Sequence, residues 1–324
     1  MWRSPPASWT ARYGELAILG LVLAVVTVFL AAVTDGRLLT LDSLASMAVQ
    51  MPLLGMLTLA QLLPMLTGGI DLSIISTANL AGIAAAYVLK QGAFWHATPV
   101  AVVLGLAAAL AVGAVNGGIV AYLEVPPIIT TLASMIFVKG FALAVTRGAV
   151  LAGFPEPFLF LGGGSLLGIP VPFLLFATGA AVLAVTLTRT PFGVVAYLLG
   201  SNPTATRFSG IDVAAMLFRT YLASGFLAGV AGLLLIARFN AAQADYGSSF
   251  LLLTVLIAVL GGVDPSGGAG TVTGLVVAVA ILQVVATGFN LMGFSAHLAN
   301  ALWGVILVLV IMLRRLLPAA AGRA

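Results

Sequence analysis

The chain has 324 residues, of which 62% are hydrophobic and 7% are charged, and its formal net charge is +4 at pH 7. A soluble domain carries roughly 25% charged residues, so this composition excludes an ordinary soluble protein. The basic residues form no run that could hold a phosphate backbone, which excludes nucleic-acid binding, and the absence of cysteine excludes disulfides and thiolate metal sites. The composition predicts an all-α, polytopic membrane protein.

Apolar stretches recur along the whole chain, and crossing a hydrocarbon core takes about 20 helical residues. The apolar run from Leu16 to Val33 follows a short tail, 1–15, and is longer than a signal-peptide core of about 7–15 residues, so we interpret it as a retained first helix. Segmentation at polar, glycine and proline clusters predicts ten spans: 16–34, 44–66, 71–89, 98–122, 127–146, 168–187, 219–237, 250–263, 271–290 and 298–317.

The stretch 250–263 is short for a full crossing and runs into the glycine-rich segment 261–268. This pattern predicts a broken or re-entrant segment of the kind that lines transporter pathways. The sequences Gly-Gly-Ile-Asp at 68–71 and Gly-Gly-Val-Asp at 261–264 also hint at an internal repeat, although they do not superpose under a five-plus-five division of the spans.

Basic residues and the number of spans agree on one orientation. Three groups of arginines precede the first span, follow the sixth and follow the tenth: Arg3 and Arg12; Arg189, Arg207 and Arg219; Arg314, Arg315 and Arg323. With ten spans all three groups lie on one side, which predicts that this side, with both termini, is the cytoplasm. The polar connection 188–218 is too short to fold alone, so we expect a single transmembrane domain over 1–324.

Residues 200–213 of that connection have the pattern of a short amphipathic helix. Asn202-Pro203 favours a helix start and Gly210 a stop, with Ala205, Phe208 and Ile211 at helical spacing. Spacing alone leaves two interpretations open, namely an interfacial helix lying on lipid and a helix that docks into a groove of a cytosolic partner.

Residues 67–73 place Asp71 and two glycines, Gly68 and Gly69, between long apolar runs. An ionisable residue at membrane depth marks a functional site by default. Asp71 also precedes a long apolar run, where a carboxylate would cap a helix by accepting backbone N–H bonds, and Asp264 before Pro265 has the same pattern. A cap, a neutral buried carboxyl group and a site for a cation or polar solute remain open for Asp71.

Amide side chains within or beside the spans are candidates for contacts to a polyhydroxylated solute, because amides both donate and accept hydrogen bonds. They serve equally as hydrogen-bond partners between helices. The candidates are Asn79, Asn116 and Asn290. Lys139, inside the fifth span, is expected to pair with a carboxylate or to extend towards the membrane surface.

Catalytic and metal-binding patterns are absent from the sequence. The two histidines, His96 and His297, are far apart and predict no metal site. Neither lysine follows a glycine as a phosphate-binding loop requires, so an ATPase that drives transport would be another polypeptide.

Several motifs, in their order and spacing, resemble the permease subunits of bacterial ABC importers for simple sugars, the ribose, xylose and galactose group and its autoinducer-2 relatives. The resemblance covers about residues 44–315. Its parts are residues 66–73 (LTGGIDLS), 115–118 (VNGG), 125–132 (VPPIITTL), 139–143 (KGFAL), 200–202 (GSN), 209–211 (SGI), 224–232 (SGFLAGVAG) and 260–262 (LGG).

The resemblance implies a type II-like ABC importer fold of about ten helices in the bacterial inner membrane. It implies a second permease subunit, identical or homologous, two cytosolic ATPases that bind ATP and Mg²⁺, and a periplasmic or lipid-anchored solute-binding protein. It identifies 200–213 as the coupling helix that docks in the ATPase, with Gly200, Asn202, Ala205, Arg207, Phe208 and Gly210 as its key positions. The solute pathway or its hinge is expected to be shaped by Asp71, Gly68 and Gly69, and amide chemistry, not the resemblance, makes Asn79, Asn116 and Asn290 the hypothetical solute contacts.

Some positions depart from the pattern of that family. Ile74-Ile75-Ser76 follows the aspartate motif where Val-Gly-Ser is usual, and Lys139 stands where arginine is usual. These departures leave the identity of the sugar open. The alternative function is a secondary transporter coupled to H⁺ or Na⁺ through Asp71, whereas a membrane enzyme would need a catalytic set that the sequence lacks.

Overall fold

The structure of the chain is a computed structural model that describes residues 9–91 and 97–295, together with isolated positions between 298 and 312. Some of the residues used above lie outside the described part. They are most of the tenth predicted span, 298–317, and Arg3, His96, His297, Arg314, Arg315 and Arg323.

Helices dominate the described residues, as the composition predicts. In chain order they are α1 (Trp9–Val33), α2 (Leu41–Leu66), α3 (Ile74–Lys90), α4 (Ala97–Tyr122), α5 (Pro127–Thr146), α6 (Glu156–Gly163), α7 (Val171–Arg189), α8 (Pro191–Ser201), α9 (Pro203–Phe208), α10 (Val213–Phe239), α11 (Phe250–Leu260) and α12 (Val272–Leu291). The described part of the chain also contains four strands of two residues each: β1 (Leu151–Ala152), β2 (Ser165–Leu166), β3 (Ile169–Pro170) and β4 (Ala241–Ala242). They pair antiparallel, β1 with β4 and β2 with β3.

The first nine predicted spans each coincide with a helix. Helices α1, α2, α4, α5, α7, α10 and α12 are long and apolar enough to cross a membrane, whereas α3, α8 and α11 are shorter apolar helices. Helix α11 ends at Leu260, before Gly261 and Gly262, so the helix within 250–263 is short and ends at the glycines, while a broken or re-entrant course that lines a pathway stays a prediction.

Local chemistry fixes where several helices begin. Pro127 starts α5, as predicted, because proline at the first helical position loses no intrahelical hydrogen bond. Asp212 caps α10 by accepting a hydrogen bond from the Ala215 N–H at 2.9 Å. Thr271 caps α12 in the same way, accepting from the Gly274 N–H at 3.1 Å. The cap of α12 is therefore Thr271 and not Asp264.

Helix α10 lies at the centre of the bundle and packs against α2, α3 and α4. Glycines allow α4 and α10 to approach closely, as small residues do between membrane helices. A Cβ atom at Gly113 of α4 would lie 2.6 Å from the Tyr221 carbonyl oxygen, and one at Gly225 of α10 would lie 2.8 Å from the Ala109 carbonyl oxygen. Gly117 of the 115–118 motif packs against α10 in the same way, and Gly225, Gly229 and Gly232 of the 224–232 motif also serve helix packing, whereas Gly118 faces open space.

The ends of the helices form two opposite faces. The first, named here the α9 face, contains the turn 123–126, helices α8 and α9, and the loop 261–270. The second, named here the β face, contains the β1–β4 pair, helix α6 and the loop 243–249. Contacts within each face agree with the predicted alternation of the spans, since Arg207 pairs with Glu124 on the α9 face and the Asn240 side chain accepts from the Phe154 N–H on the β face.

The connection 188–218 is more helical than the sequence analysis expected. Helix α7 continues to Arg189, helix α10 already begins at Val213, and the apolar helix α8 fills most of the interval between them. Helix α8 buries Gly193, Ala196 and Leu199, so it is part of the packed bundle. Only α9 and its flanking turns remain as an exposed connection.

Candidate functional site

Asp71 lies in a buried polar cluster between α2 and α3. Only 3% of its surface is exposed. One carboxylate oxygen accepts hydrogen bonds from the Ser73 N–H at 2.8 Å and the Ser73 hydroxyl at 2.6 Å, and the other accepts from the Ser224 hydroxyl at 3.3 Å. The capping position of α3 is Ser73, so Asp71 stabilises the turn before the helix instead of being its N-cap.

The cluster extends to α4 and α5 through Asn116. The Asn116 side chain donates to the Ser73 hydroxyl at 2.8 Å, and its carbonyl oxygen accepts from the Ser134 hydroxyl. Asn116 lies about 9 Å from the end of α4 on the α9 face, at 1.5 Å per helical residue. Asp71, Ser73, Asn116, Ser134 and Ser224, together called the Asp71 cluster, therefore join four helices in the half of the bundle nearer the α9 face.

The loop that carries Asp71 is held from two further sides. The Thr131 hydroxyl on α5 accepts from the Leu72 N–H at 3.1 Å and lies 3.1 Å from the Ile70 carbonyl oxygen. A Cβ atom at Gly69 would lie 2.8 Å from the Tyr221 hydroxyl oxygen, so this position has no room for a side chain. Tyr221 is fully buried, and its hydroxyl has no hydrogen-bond partner within the described ranges.

A second glycine loop packs directly on the start of the Asp71 loop. The Gly268 N–H donates to the Leu66 carbonyl oxygen at 2.9 Å, so the loop 261–270 closes against the end of α2. Gly200, near the end of α8, touches the same carbonyl, and a Cβ atom there would overlap both Leu66 O and Gly268 N. Gly68, with a φ of 84°, lies beside Ser266 of this loop. Backbone therefore contacts backbone where α2, α8 and the loop 261–270 meet.

Helix α9 begins immediately after this meeting point. The Asn202 side chain caps it by accepting from the Ala205 N–H at 2.9 Å, and Gly210, with a φ of 77°, ends the turn that follows. The prediction of a short helix between these residues is confirmed, but the helix ends at Phe208 and does not reach Ile211.

The side chains of α9 point mostly away from the bundle. Thr206 is buried, whereas Phe208 is 88% exposed. Ala205 is also exposed. The Arg207 guanidinium pairs with the Glu124 carboxylate at 3.1 Å, and both side chains are largely exposed. Helix α9 is thus a protruding, capped element, tied to the turn 123–126 by one ion pair.

The remaining predicted site residues lie apart from the Asp71 cluster. Asn79 is buried in α3 and donates to the Ala244 and Tyr246 carbonyl oxygens at 3.1 and 2.9 Å, which fastens the loop 243–249 on the β face. Asn290 is exposed near the end of α12. Lys139 pairs with Asp245 at 2.6 Å, which confirms the expectation that this lysine finds a carboxylate.

The sequence analysis named both Asp71 and Asn116 as candidates for the solute pathway, but it did not identify the hydroxyl groups around them. Ser134, Thr131, Tyr221 and Ser224 are single hydroxyl groups in apolar helices, and each alone resembles ordinary hydrogen-bonding between helices. Thr131 and Ser224 do lie inside the 125–132 and 224–232 motifs, which was the available signal for them.

Comparison with known proteins identifies the family of the chain. Residues 43–311 match the family described as branched-chain amino acid transport system / permease component. The chain belongs to this family of transport permeases. No solved structure matches the chain.

Individual relatives narrow the comparison to one group of import permeases. The chain is 30% identical over 307 residues to the autoinducer 2 import system permease protein LsrD of Yersinia enterocolitica, covering 93% of this chain and 91% of the relative. It is 31% identical to the LsrD proteins of Escherichia coli K12 and Shigella flexneri, covering 93% of this chain and 92% of each relative. The resemblance to sugar-type import permeases is therefore confirmed over most of the chain.

Proposed function

We propose that this chain is the membrane permease subunit of an ATP-driven ABC importer that moves a small polyhydroxylated solute into the cytoplasm. The solute class to test first is monosaccharides, together with autoinducer 2, which the names of the LsrD relatives specify. The observation that carries the proposal is the capped and exposed α9 of a chain from a permease family. Its Phe208 is 88% exposed, and the helix begins three residues after Gly200, where three backbone segments meet.

The importer requires partners that supply energy and solute. Two ATPases, which bind ATP and Mg²⁺, receive α9 in a groove, and a periplasmic or lipid-anchored protein delivers the solute to the β face. A second permease subunit, either a copy of this chain or a homologue, completes the pathway. The α9 face and both termini lie in the cytoplasm of a bacterial cell, because the arginine groups of the sequence follow the positive-inside rule in that orientation.

Coupling runs from α9 to the Asp71 cluster through backbone contacts. Closure of the ATPases displaces α9, and the displacement acts on Gly200 at the end of α8. From there it reaches Leu66 and the loop 261–270, because a packed backbone contact transmits a shift and does not absorb it. Gly68 and Gly69 join Leu66 to Asp71 and form the hinge between α2 and α3, so the permease switches its access as this hinge moves.

The residues expected in the solute pathway have different roles in this proposal. Asp71 and Asn116 hold the hinge in shape, since both are buried and hydrogen-bonded within the chain. Asn79 orients the loop 243–249 at the β face, where solute enters. Asn290 is exposed, and it is the asparagine we propose for direct contact with solute or with the second permease subunit.

The first experiment is gentle purification of this chain from its native membrane, followed by mass spectrometry of what accompanies it. We expect an ATPase with a phosphate-binding loop. In vesicles, uptake should require ATP and the solute-binding protein and should survive collapse of the ion gradients. Repeated recovery of the chain alone, with uptake driven by an ion gradient, would overturn the proposal.

A variant pair tests the docking role of α9. Phe208→Ala removes an exposed ring and should leave the fold intact while lowering ATPase recovery several-fold. Phe226→Ala is the matched control, because Phe226 is also exposed, at 43%, but lies in the middle of α10. Equal ATPase recovery for both variants and the wild-type chain would contradict docking through α9.

A further inference from the structure

The β2–β3 hairpin on the β face has an unusual tip. Leu167 and Gly168 form its two-residue turn, with φ values of 53° and 80°. Such a turn favours asparagine or glycine at its first position, because a bulky side chain with a positive φ is strained. The other non-glycine residues with positive φ in the described ranges are polar or charged: Asp35, Glu124, Arg147 and Asn240.

The strained leucine is also completely exposed. Leu167 is 103% exposed, and the neighbouring Leu166, Ile169 and Phe160 are 52%, 44% and 44% exposed. Neither the turn geometry nor the packing of the described residues calls for an apolar residue at this tip. A residue that is unfavourable on both counts points to a contact outside the chain.

The position of the hairpin indicates what it contacts. Helix α7 starts directly after β3 and has 19 residues, about 28 Å at 1.5 Å per residue, which is close to the hydrocarbon thickness of about 30 Å. The hairpin therefore lies where the hydrocarbon core ends. Val182 and Val185, exposed in the middle of α7, continue the same apolar surface into the membrane.

Charge distribution agrees with this position. No charged residue occurs between Glu156 and Arg189, so residues 157–188, which comprise the hairpin and all of α6 and α7 except one end residue of each, form one uncharged block. The backbone at the base of the hairpin is hydrogen-bonded, since Ser165 pairs with Pro170 and the Val171 N–H donates to the Gly164 carbonyl oxygen at 2.9 Å. A paired backbone with apolar side chains suits the boundary between headgroups and acyl chains.

We propose that the hairpin 165–170 is a lipid-binding anchor that inserts Leu166, Leu167 and Ile169 into the acyl boundary of the bilayer on the β face. The anchor fixes the height of α7 and α6 relative to the membrane. The inference depends on the membrane-spanning fold and not on the transported solute or the ATPase.

The absence of cysteine makes a direct test practical. Leu167→Cys in the full chain carries a nitroxide spin label in phosphatidylcholine vesicles, and collision rates with oxygen and with a water-soluble nickel chelate are compared. Val182→Cys is the lipid-exposed standard, and Ala149→Cys, exposed in the loop after α5, is the aqueous standard. We expect an oxygen-to-nickel ratio at position 167 several-fold above that at position 149.

A second variant separates lipid contact from turn geometry. Leu167→Asn improves the turn but removes the apolar tip, so a label at Leu166→Cys should become accessible to nickel only when this substitution is present. A nickel-accessible position 167, equal to the aqueous standard, would overturn the anchor. Protection of that position only after the solute-binding protein is added would also overturn it and would assign the hairpin to protein docking.

Discussion

Gly200→Ala is the substitution that most directly challenges the coupling route from α9 to Asp71. The added Cβ atom would overlap the Leu66 carbonyl oxygen and the Gly268 nitrogen, both of which belong to backbone. Backbone cannot rotate away as a long side chain can, so α8, the end of α2 or the loop 261–270 has to shift. The shift separates the segments that we propose to carry motion.

The contacts of Gly200 allow an estimate of how much Gly200→Ala lowers the free energy of unfolding. Overpacking of a filled interior typically costs about 1–3 kcal/mol. Loss of the hydrogen bond from Gly268 N–H to Leu66 O adds about 1 kcal/mol. The sum, about 2–4 kcal/mol, lowers the stability without abolishing the fold, because the free energy of unfolding of a native protein is about 5–15 kcal/mol.

Gly193→Ala is the matched control on the same helix. Its Cβ atom would overlap the Leu187 carbonyl oxygen at the turn between α7 and α8, away from the loop 261–270. The assay is the ratio of solute molecules imported to ATP molecules hydrolysed, measured in vesicles with the ATPase and the solute-binding protein. We expect the ratio to fall several-fold for Gly200→Ala and to stay at the wild-type value for Gly193→Ala, although both variants lose thermal stability.

Two results would refute the reasoning. If both variants lowered the ratio equally, the loss would follow from general destabilisation. If Gly200→Ala kept the wild-type ratio while its stability fell, the contact would be structural only, and motion from α9 would have to travel by another route.

Two further substitutions address Asp71 and Arg207. Asp71→Ala leaves the Ser73 N–H and the Ser73 and Ser224 hydroxyls without their acceptor. Each buried donor without a partner costs about 1–3 kcal/mol, so the temperature of the unfolding midpoint should fall clearly. Asp71→Asn keeps an acceptor oxygen, and this variant should import solute at nearly the wild-type rate. Loss of an ion-driven uptake in a well-folded Asp71→Asn variant would instead support the secondary transporter. Arg207→Glu should lower ATPase co-purification, and adding Glu124→Arg should restore it, because the ion pair orients α9. Unchanged co-purification in the single variant would count against that role, and failure of the double variant to restore it would place the Arg207 contact on the ATPase itself.

The membrane spans were predictable because their signal is local. The fifth span, 127–146, matches α5 at both ends, since Pro126-Pro127 marks its start and an apolar run defines its length. Helix α8 was missed for the opposite reason. With 11 residues it is too short for a search that requires about 20, and its neighbours made it look like part of a loop.

The Asp71 cluster was predictable only in part, because it depends on how the helices pack. The sequence identified Asp71 as a buried carboxylate beside glycines, and it identified Asn116 as an amide in a span. The hydrogen bond between Asn116 and Ser73, which connects them, spans 43 positions of sequence and exists because α3 and α4 lie side by side. Asn116 lies inside the 115–118 motif and Asn79 lies inside none, but the motif alone does not indicate that Asn116 joins the cluster while Asn79 fastens a loop on the β face.

The two Gly-Gly motifs owe their similarity to one local structure. At the end of α2 the Gly68 and Gly69 N–H groups donate to the Met65 and Pro64 carbonyl oxygens, and at the end of α11 the Gly262 and Val263 N–H groups donate to Val259 and Ala258 in the same pattern. This is a Schellman cap, which places Gly68 and Gly262 at φ values of 84° and 95°.

An aspartate follows each cap and accepts the N–H two residues further on, Asp71 from Ser73 and Asp264 from Ser266, both at 2.8 Å. The aspartate stands three residues after the capping glycine in one loop and two residues after it in the other, so the motifs do not share a register. A common need to end a helix and stiffen the next turn accounts for both without an internal repeat. The two turns meet through the hydrogen bond from the Gly268 N–H to the Leu66 carbonyl oxygen, so a displacement of the loop 261–270 is passed to the end of α2 and from there to the Gly68–Gly69 hinge.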